Sequence, residues 1–279
     1  MTEPDLGPTV QRVLLGWELR DAREAAGLTT TEATAALGWY SGKLSKVEGG
    51  DMKITDKDLA KAVRTYQVAD ERTDGLYRLA KDARRKVQPS RVPDWAAKYV
   101  HLERAAAVLK VCYLDSFPGL VQTLDYGRAM LSGSVTVSPA DVDRMAEERD
   151  VRAQQLTELD APRLWLVIGE EALRREIGGR EVFLGQLRRV RELADLPNVT
   201  IQVLRFADGA HAAHGVSFVI IDLREHRPGI VYVETLTGSD YLGREHTRVY
   251  NLAHDTLRVR AASDQTTMRM LDERIAELS

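Results

Sequence analysis

The chain has 279 residues, of which 44% are hydrophobic and 29% charged, and a formal net charge of −3. That length exceeds one typical domain, and the composition is that of an ordinary globular protein, not a low-complexity or fibrous chain. The single cysteine, Cys112, excludes an internal disulfide and a cysteine-rich zinc site. No run of 18 apolar residues occurs, and Met1-Thr-Glu-Pro-Asp lacks the basic-then-apolar order of a secretory signal, so a cytoplasmic protein with no membrane contact is expected.

Residues 1–9, with Pro4, Gly7 and Pro8, read as a loose arm. Leu15, Leu19, Ala22 and Ala26 recur on one helical face and predict a first helix over about 10–26. Thr29 and Glu32 have the spacing of a capping box, Ala33 and Leu37 share a face, and Gly38 ends this second helix. A third helix, from Ser41 to Glu48, turns Leu44 and Val47 inward and Ser41, Lys43 and Lys46 outward, and stops at Gly49-Gly50. Thr55 to Asp58 opens a fourth with acids in its first turn, and Asp70 opens a fifth carrying Leu76, Tyr77, Leu79 and Ala80. Pro89, Ser90 and Pro93 mark a boundary, giving an all-α five-helix domain over 1–90 and a second domain over 91–279.

Two short helices joined by a Gly-containing turn form the helix-turn-helix, whose second helix enters the major groove. Leu19-Arg20, Arg23, Gly27-Leu28-Thr29, Glu32, Leu37-Gly38-Trp39, Leu44-Ser45, Val47-Glu48 and Gly50 resemble the wording of the Xre and phage-repressor family. The resemblance implies a regulator that binds double-stranded DNA as a homodimer. It implies contacts from Thr30, Tyr40, Ser41, Gly42, Lys43, Lys46, Gly50 and Lys53, with the amides near Gly49-Gly50 holding phosphates, and an ion pair between Arg23 and Glu48. Gly42 and Thr30 depart from the pattern, where a base-reading side chain and a glutamine are usual, so direct readout is thin. The charge balance adds little. Residues 1–90 hold 15 Lys and Arg against 14 Asp and Glu, a net of +1, which leaves −4 for the remainder.

Residues 91–279 alternate helices with strands. Helices are expected over about 94–107, 124–131, 139–159 (with Ser138 as N-cap), 180–193, 244–260 and 264–278. Strands are expected over 108–114, 163–168, 199–204, 216–222 and 229–235, the last two as a hairpin. This is an α/β (α+β) domain with a mixed sheet of four or five strands. The order Phe117-Pro-Gly-Leu-Val-Gln-Thr, Gln202-Val-Leu, His214-Gly, Val231-Tyr-Val-Glu and Tyr241 is similar to the carboxy-terminal domain of the actinobacterial Scr1-like antitoxin-type regulators. Many of these are encoded beside a very small partner protein. The resemblance implies a transcriptional regulator; the size of the second domain and the need for paired half-sites make it the expected seat of dimerisation and of a signal, from a small cognate protein as the neighbouring genes suggest or from a small molecule in an aromatic pocket. An antitoxin-like protein devoted to that partner, or an enzymatic second domain, are the alternatives.

Catalytic motifs are missing from the sequence: no Gly-Lys-Ser/Thr phosphate loop, no G-x-S-x-G elbow and no H-E-x-x-H occur. His211 and His214 near Asp208 are too weakly spaced for a metal site, so no metal, no cofactor and no enzymatic activity are expected. Aromatic residues, among them Phe117, Trp165 and Tyr241, are enough to line a ligand pocket with Gln122, His214 and Glu234 as polar anchors. Packing of the core is the other reading of the same aromatics.

Overall fold

A computed structural model describes residues 6–86, 94–223, 226–236 and 238–279, with the side chains of residues 94, 95, 226–228, 244 and 245 left aside. The Pro89–Pro93 boundary and Met1–Asp5 of the expected arm lie outside the described residues. The chain divides into two compact units, and Ala97–Ala105 groups with the amino-terminal one.

In the first unit α1 spans Gly7–Ala25, so the expected arm yields to helix from residue 7; α2 is Thr30–Leu37, α3 Lys43–Glu48, α4 Asp56–Thr65 and α5 Asp70–Ala83. Leu19, Ala33, Leu37, Leu44, Val47 and Leu59 meet in one core. The capping box closes as the spacing requires: Glu32 N–H donates to Thr29 Oγ1 at 3.2 Å, and Thr29 N–H donates to Glu32 Oε2 at 2.9 Å. Gly38 takes the left-handed conformation (φ 57°) that lets the chain turn from α2 into α3. At the far end of α3, Gly50 (φ 73°) lies so close to α1 that a Cβ there would sit 2.7 Å from Val13 Cα.

One ion pair joins α1 to the end of α3. Arg23 donates through Nε to Glu48 Oε1 at 2.7 Å and through Nη2 to Oε2 at 3.1 Å, and its Nη1 reaches Leu28 O at 2.8 Å. Both side chains are buried, at 7% and 9% exposure. The Tyr66 hydroxyl is buried near them without a partner, and burial, with the Glu48 charge next, raises its pKa. α6 (Asp94–Arg104) returns to the same region, where Lys98 Nζ donates to Gly49 O at 2.6 Å and Asp51 Oδ1 at 3.0 Å.

The second unit is built on a sheet ordered β3-β2-β1-β4-β5-β6. Its strands are β1 (Ala106–Tyr113), β2 (Arg163–Gly169), β3 (Val199–Leu204), β4 (Phe218–Leu223), β5 (His226–Thr235) and β6 (Gly238–Leu242). β1, β2 and β3 run parallel, and β4, β5 and β6 continue antiparallel. The sheet is mixed, as the alternation of elements predicts, but has six strands among the described residues instead of four or five. β6 escapes sequence reading because Gly-Ser-Asp-Tyr-Leu is short and polar; its pairing of Tyr241 with Tyr232 is visible only in three dimensions. The helices are α7 (Leu124–Ser132), α8 (Val142–Ala153), α9 (Arg180–Leu193), α10 (Arg244–Arg260) and α11 (Asp264–Leu278). The single helix expected over 139–159 is α8 flanked by 3₁₀ turns at Pro139–Asp141 and Gln154–Thr157, and Ser138 makes no side-chain cap. No helix among the described residues is long and apolar enough to cross a membrane.

α10 covers one sheet face, where Leu257, Tyr250 and Ala253 pack over Cys112, Phe218, Ile220 and Val231. Burial pushes the Cys112 thiol up to about 12, so it stays a neutral packing group. His254 of α10 is fully buried, with Nε2 3.3 Å from Trp165 O and Nδ1 unpartnered. Burial pushes its pKa down to about 4.

The two buried sites lead to measurable consequences. Glu48→Ala removes the buried counter-charge of Arg23, leaving it only the exposed Glu24 at 3.2 Å, and is expected to cost about 3 kcal/mol in urea unfolding. His254 contributes its full stability above the ordinary imidazole value, about 6.5. As pH falls from there toward about 4 the unfolded chain takes up a proton that the folded chain refuses, so roughly 3 kcal/mol is lost across that window. Urea midpoints measured from pH 7 to pH 4 are expected to fall less steeply in His254→Gln than in the native protein.

Candidate functional site

α3 is six residues long, too short to hold its shape alone, and its surroundings decide which of its side chains meet solvent. Gly42 is its N-cap, so Ser41 and Gly42 stand in the preceding turn and the helix begins at Lys43, two residues later than expected. Lys46, Ser41, Ser45 and Thr30 are exposed, and Lys46 has no side-chain hydrogen bond or ion pair among the described residues. Tyr40 is 58% exposed, its hydroxyl 3.7 Å from Met52 Sδ.

Three of the expected DNA contacts are otherwise engaged. Lys43 Nζ donates to Asp58 Oδ2 at 2.8 Å and lies 4.6 Å above the Trp39 ring. Lys53 Nζ donates to the carbonyls of Arg84 and Arg85 at the end of α5. Gly50 is buried, and the amides expected to hold phosphates are already used: Gly49 N–H donates to Ser45 O and Gly50 N–H to Val47 O. Closure of the helix end consumes these donors before any ligand arrives.

Asp58 is the hub of the opposite end of α3. It accepts from Lys43, from Trp39 Nε1 at 3.0 Å and from Thr55 Oγ1 at 3.0 Å. Burial alone would raise its pKa, but the bonds from Lys43, Thr55 and Trp39 prevail and hold it below the usual carboxylate range. Beside it, Lys57, Lys61 and Arg64 of α4 line with Tyr40 a hollow of about 300 Å³. Lys61 Nζ caps the end of α2 through Leu37 O at 2.6 Å. Lys61 and Arg64 were not among the expected contacts, although their spacing with Lys57, i, i+4 and i+7, marks one helical face.

In the second unit a crevice of about 610 Å³ opens at the carboxyl ends of β1, β2 and β3. Leu114, Gly169 and Leu204 border it from the strand ends, and Asp115, Glu170, His211 and His214 bring polar groups to it.

Comparison with known families also finds two parts, the second of which begins at residue 96 and so takes in Ala97–Ala105, which group with the amino-terminal unit. A helix-turn-helix domain profile matches residues 14–76, which hold the whole of α2, α3 and α4. The protein is a DNA-binding regulator in this general sense. A second profile, described as a domain of unknown function (DUF5753), matches residues 96–273, more than half of the chain.

The chain belongs to the DUF5753 family.

No curated protein and no solved structure matches it.

Within the DUF5753 domain the six residues expected to line a pocket do not converge. Phe117 and Gln122 are buried: Gln122 Nε2 donates to Phe117 O at 2.7 Å, and Phe117 packs on Tyr126 and Phe183. Trp165 lies under the Arg258 guanidinium at 4.2 Å. Tyr241 packs on Tyr232 at 5.3 Å, and Glu234 is exposed beside Ser239 on the neighbouring strand. Only His214 of the six lines the crevice, where its ring meets that of His211 at 5.1 Å. Of the three aromatics Phe117 packs in the core, while Trp165 and Tyr241 are half-buried on β2 and β6, strands that are not neighbours in the sheet. Among the described residues no group of three His, Cys, Asp or Glu side chains is placed to hold a metal ion.

The two lysines of α3 separate by stability. Lys43→Ala, which breaks a half-buried ion pair and a ring contact, is expected to cost about 1 kcal/mol, whereas Lys46→Ala stays within about 0.5 kcal/mol of the native value in thermal melts.

Proposed function

We propose that this protein is an Xre-type transcriptional regulator that recognises a duplex operator through α3 as a homodimer. The observation that carries the reading is the solvent-facing set Tyr40, Ser41, Ser45 and Lys46 on and before a helix anchored at both ends. Lys46 donates to guanine O6 and N7 or to phosphate, and Thr30 lies at the start of the preceding helix. Lys57 and Arg64 supply backbone contacts that Lys43 and Lys53, held internally, do not.

Dimerisation follows from the small size of one reading helix, since three or four base pairs do not select a site and paired half-sites do. It is supported by Val249, Leu252 and Val259, which are exposed on the outer face of α10. The other long helices offer less: Val151 and Leu159 are exposed on and just beyond α8, and α11 shows no exposed large hydrophobic residue among the described residues. The DUF5753 domain receives a signal, from a small cognate protein or a small molecule, that favours one DNA-binding state by about 1–3 kcal/mol of coupling. No catalytic role is proposed.

The test is an operator selected in vitro from random duplexes, followed by anisotropy titration and light scattering. Lys46→Ala is expected to weaken specific binding by about 1–3 kcal/mol with its fold intact, and the complex to contain two chains per duplex. Undiminished binding by Lys46→Ala, or a single chain per operator, contradicts the reading.

A further inference from the structure

The crevice in the DUF5753 domain follows from the chain path. β3 and β4 are separated in the sheet by β2 and β1, and β4 starts at the end of the sheet where β3 finishes. The connection, residues 205–217, must therefore travel about three strand spacings, roughly 14 Å, across the carboxyl ends of β2 and β1. Such ends, in an open sheet with parallel strands, are where ligands lodge.

The walls fix the chemistry. Tyr113 pairs with Ile168, so Asp115 and Glu170 stand at matched positions just beyond the ends of two adjacent strands. Glu171 also borders the crevice but is ion-paired to Arg175. The one guanidinium in the lining, Arg205, is held by Asp208 at 2.6 Å. Asp115 accepts a bond from its neighbour Ser116 at 3.3 Å, and Glu170 accepts from Phe206 N–H at 3.1 Å and is ion-paired to Arg174 at 3.4 Å, while Arg175 and Arg205 act on Asp115 and Glu170 at longer range. His211 has a buried Nδ1 without a partner, and burial, with His214 and Arg260 next, lowers its pKa, so it brings no cation at neutral pH. The mouth is apolar: Phe206 is 65% exposed and Val216 38%.

We propose that this crevice binds a small organic cation, an ammonium or guanidinium group on an apolar or aromatic body. The charged head lies between Asp115 and Glu170, and the body rests against Phe206, Val216 and Leu204. The volume, about 610 Å³, suits a molecule of drug size. A cation complements the carboxylates at the matched strand ends, which an anion would oppose. As the route for a regulatory signal the site rests on the sensor reading given above; as a binding site it does not.

The probes are three compounds sharing one ring: tryptamine, 3-methylindole and indole-3-acetate, titrated calorimetrically into the full-length protein. Tryptamine is expected to bind at least tenfold more tightly than the other two, and to lose tenfold or more in Asp115→Asn/Glu170→Gln. Indole-3-acetate binding as tightly as tryptamine, or no heat from any of the three at about 1 mM, overturns the proposal, and this comparison needs no variant to fold. Operator affinity measured with and without tryptamine keeps the two readings apart. Binding without an effect on DNA supports the site and removes this small-molecule route from the sensor reading.

Discussion

Arg23 and Glu48 are 25 residues apart in sequence, and their two-pronged ion pair determines where α3 lies. A six-residue helix has too few internal hydrogen bonds to persist by itself. The pair fastens its last residue to α1, and the Lys43–Asp58 contact fastens its first residue to α4. Between these two clamps Leu44 and Val47 point into the core, which leaves Ser45 and Lys46 to point out. The direction of the exposed face is thus a consequence of two ion pairs, one at each end of the helix.

That economy has a consequence for recognition. Charges that build the domain are not available to DNA, and Lys43, Lys53, Lys61 and Arg23 all serve the fold. With a net charge near +1 for residues 1–90, the exposed basic side chains on and beside α3 are chiefly Lys46, Lys57 and Arg64. On the proposed reading, affinity for one half-site is modest and strongly dependent on salt, and the proposed pairing of two half-sites would supply what a single domain lacks.

Local features were legible in the sequence. The Thr29–Glu32 capping box, the left-handed Gly38 and the limits of α9, α10 and α11 follow from neighbours within a few residues, and each is where local chemistry puts it. The Arg23–Glu48 geometry came from family resemblance and not from spacing. What was illegible depends on distant partners. Nothing near Lys43 announces Asp58, fifteen residues on, and nothing in Gly-Ser-Asp-Tyr-Leu announces an edge strand until β5 lies beside it. The crevice was missed for the same reason: Asp115, Glu170 and His211 come together only because β1 and β2 are adjacent and the 205–217 connection crosses them.

If α3, clamped at both ends, presents its outer face to DNA as proposed, amide chemical-shift mapping of the isotope-labelled protein against its selected duplex gives the largest perturbations at Thr30 and from Tyr40 to Lys46, with smaller ones at Lys57 and Arg64. Perturbations confined to residues 106–279, or to the faces of α1 and α5, would contradict it.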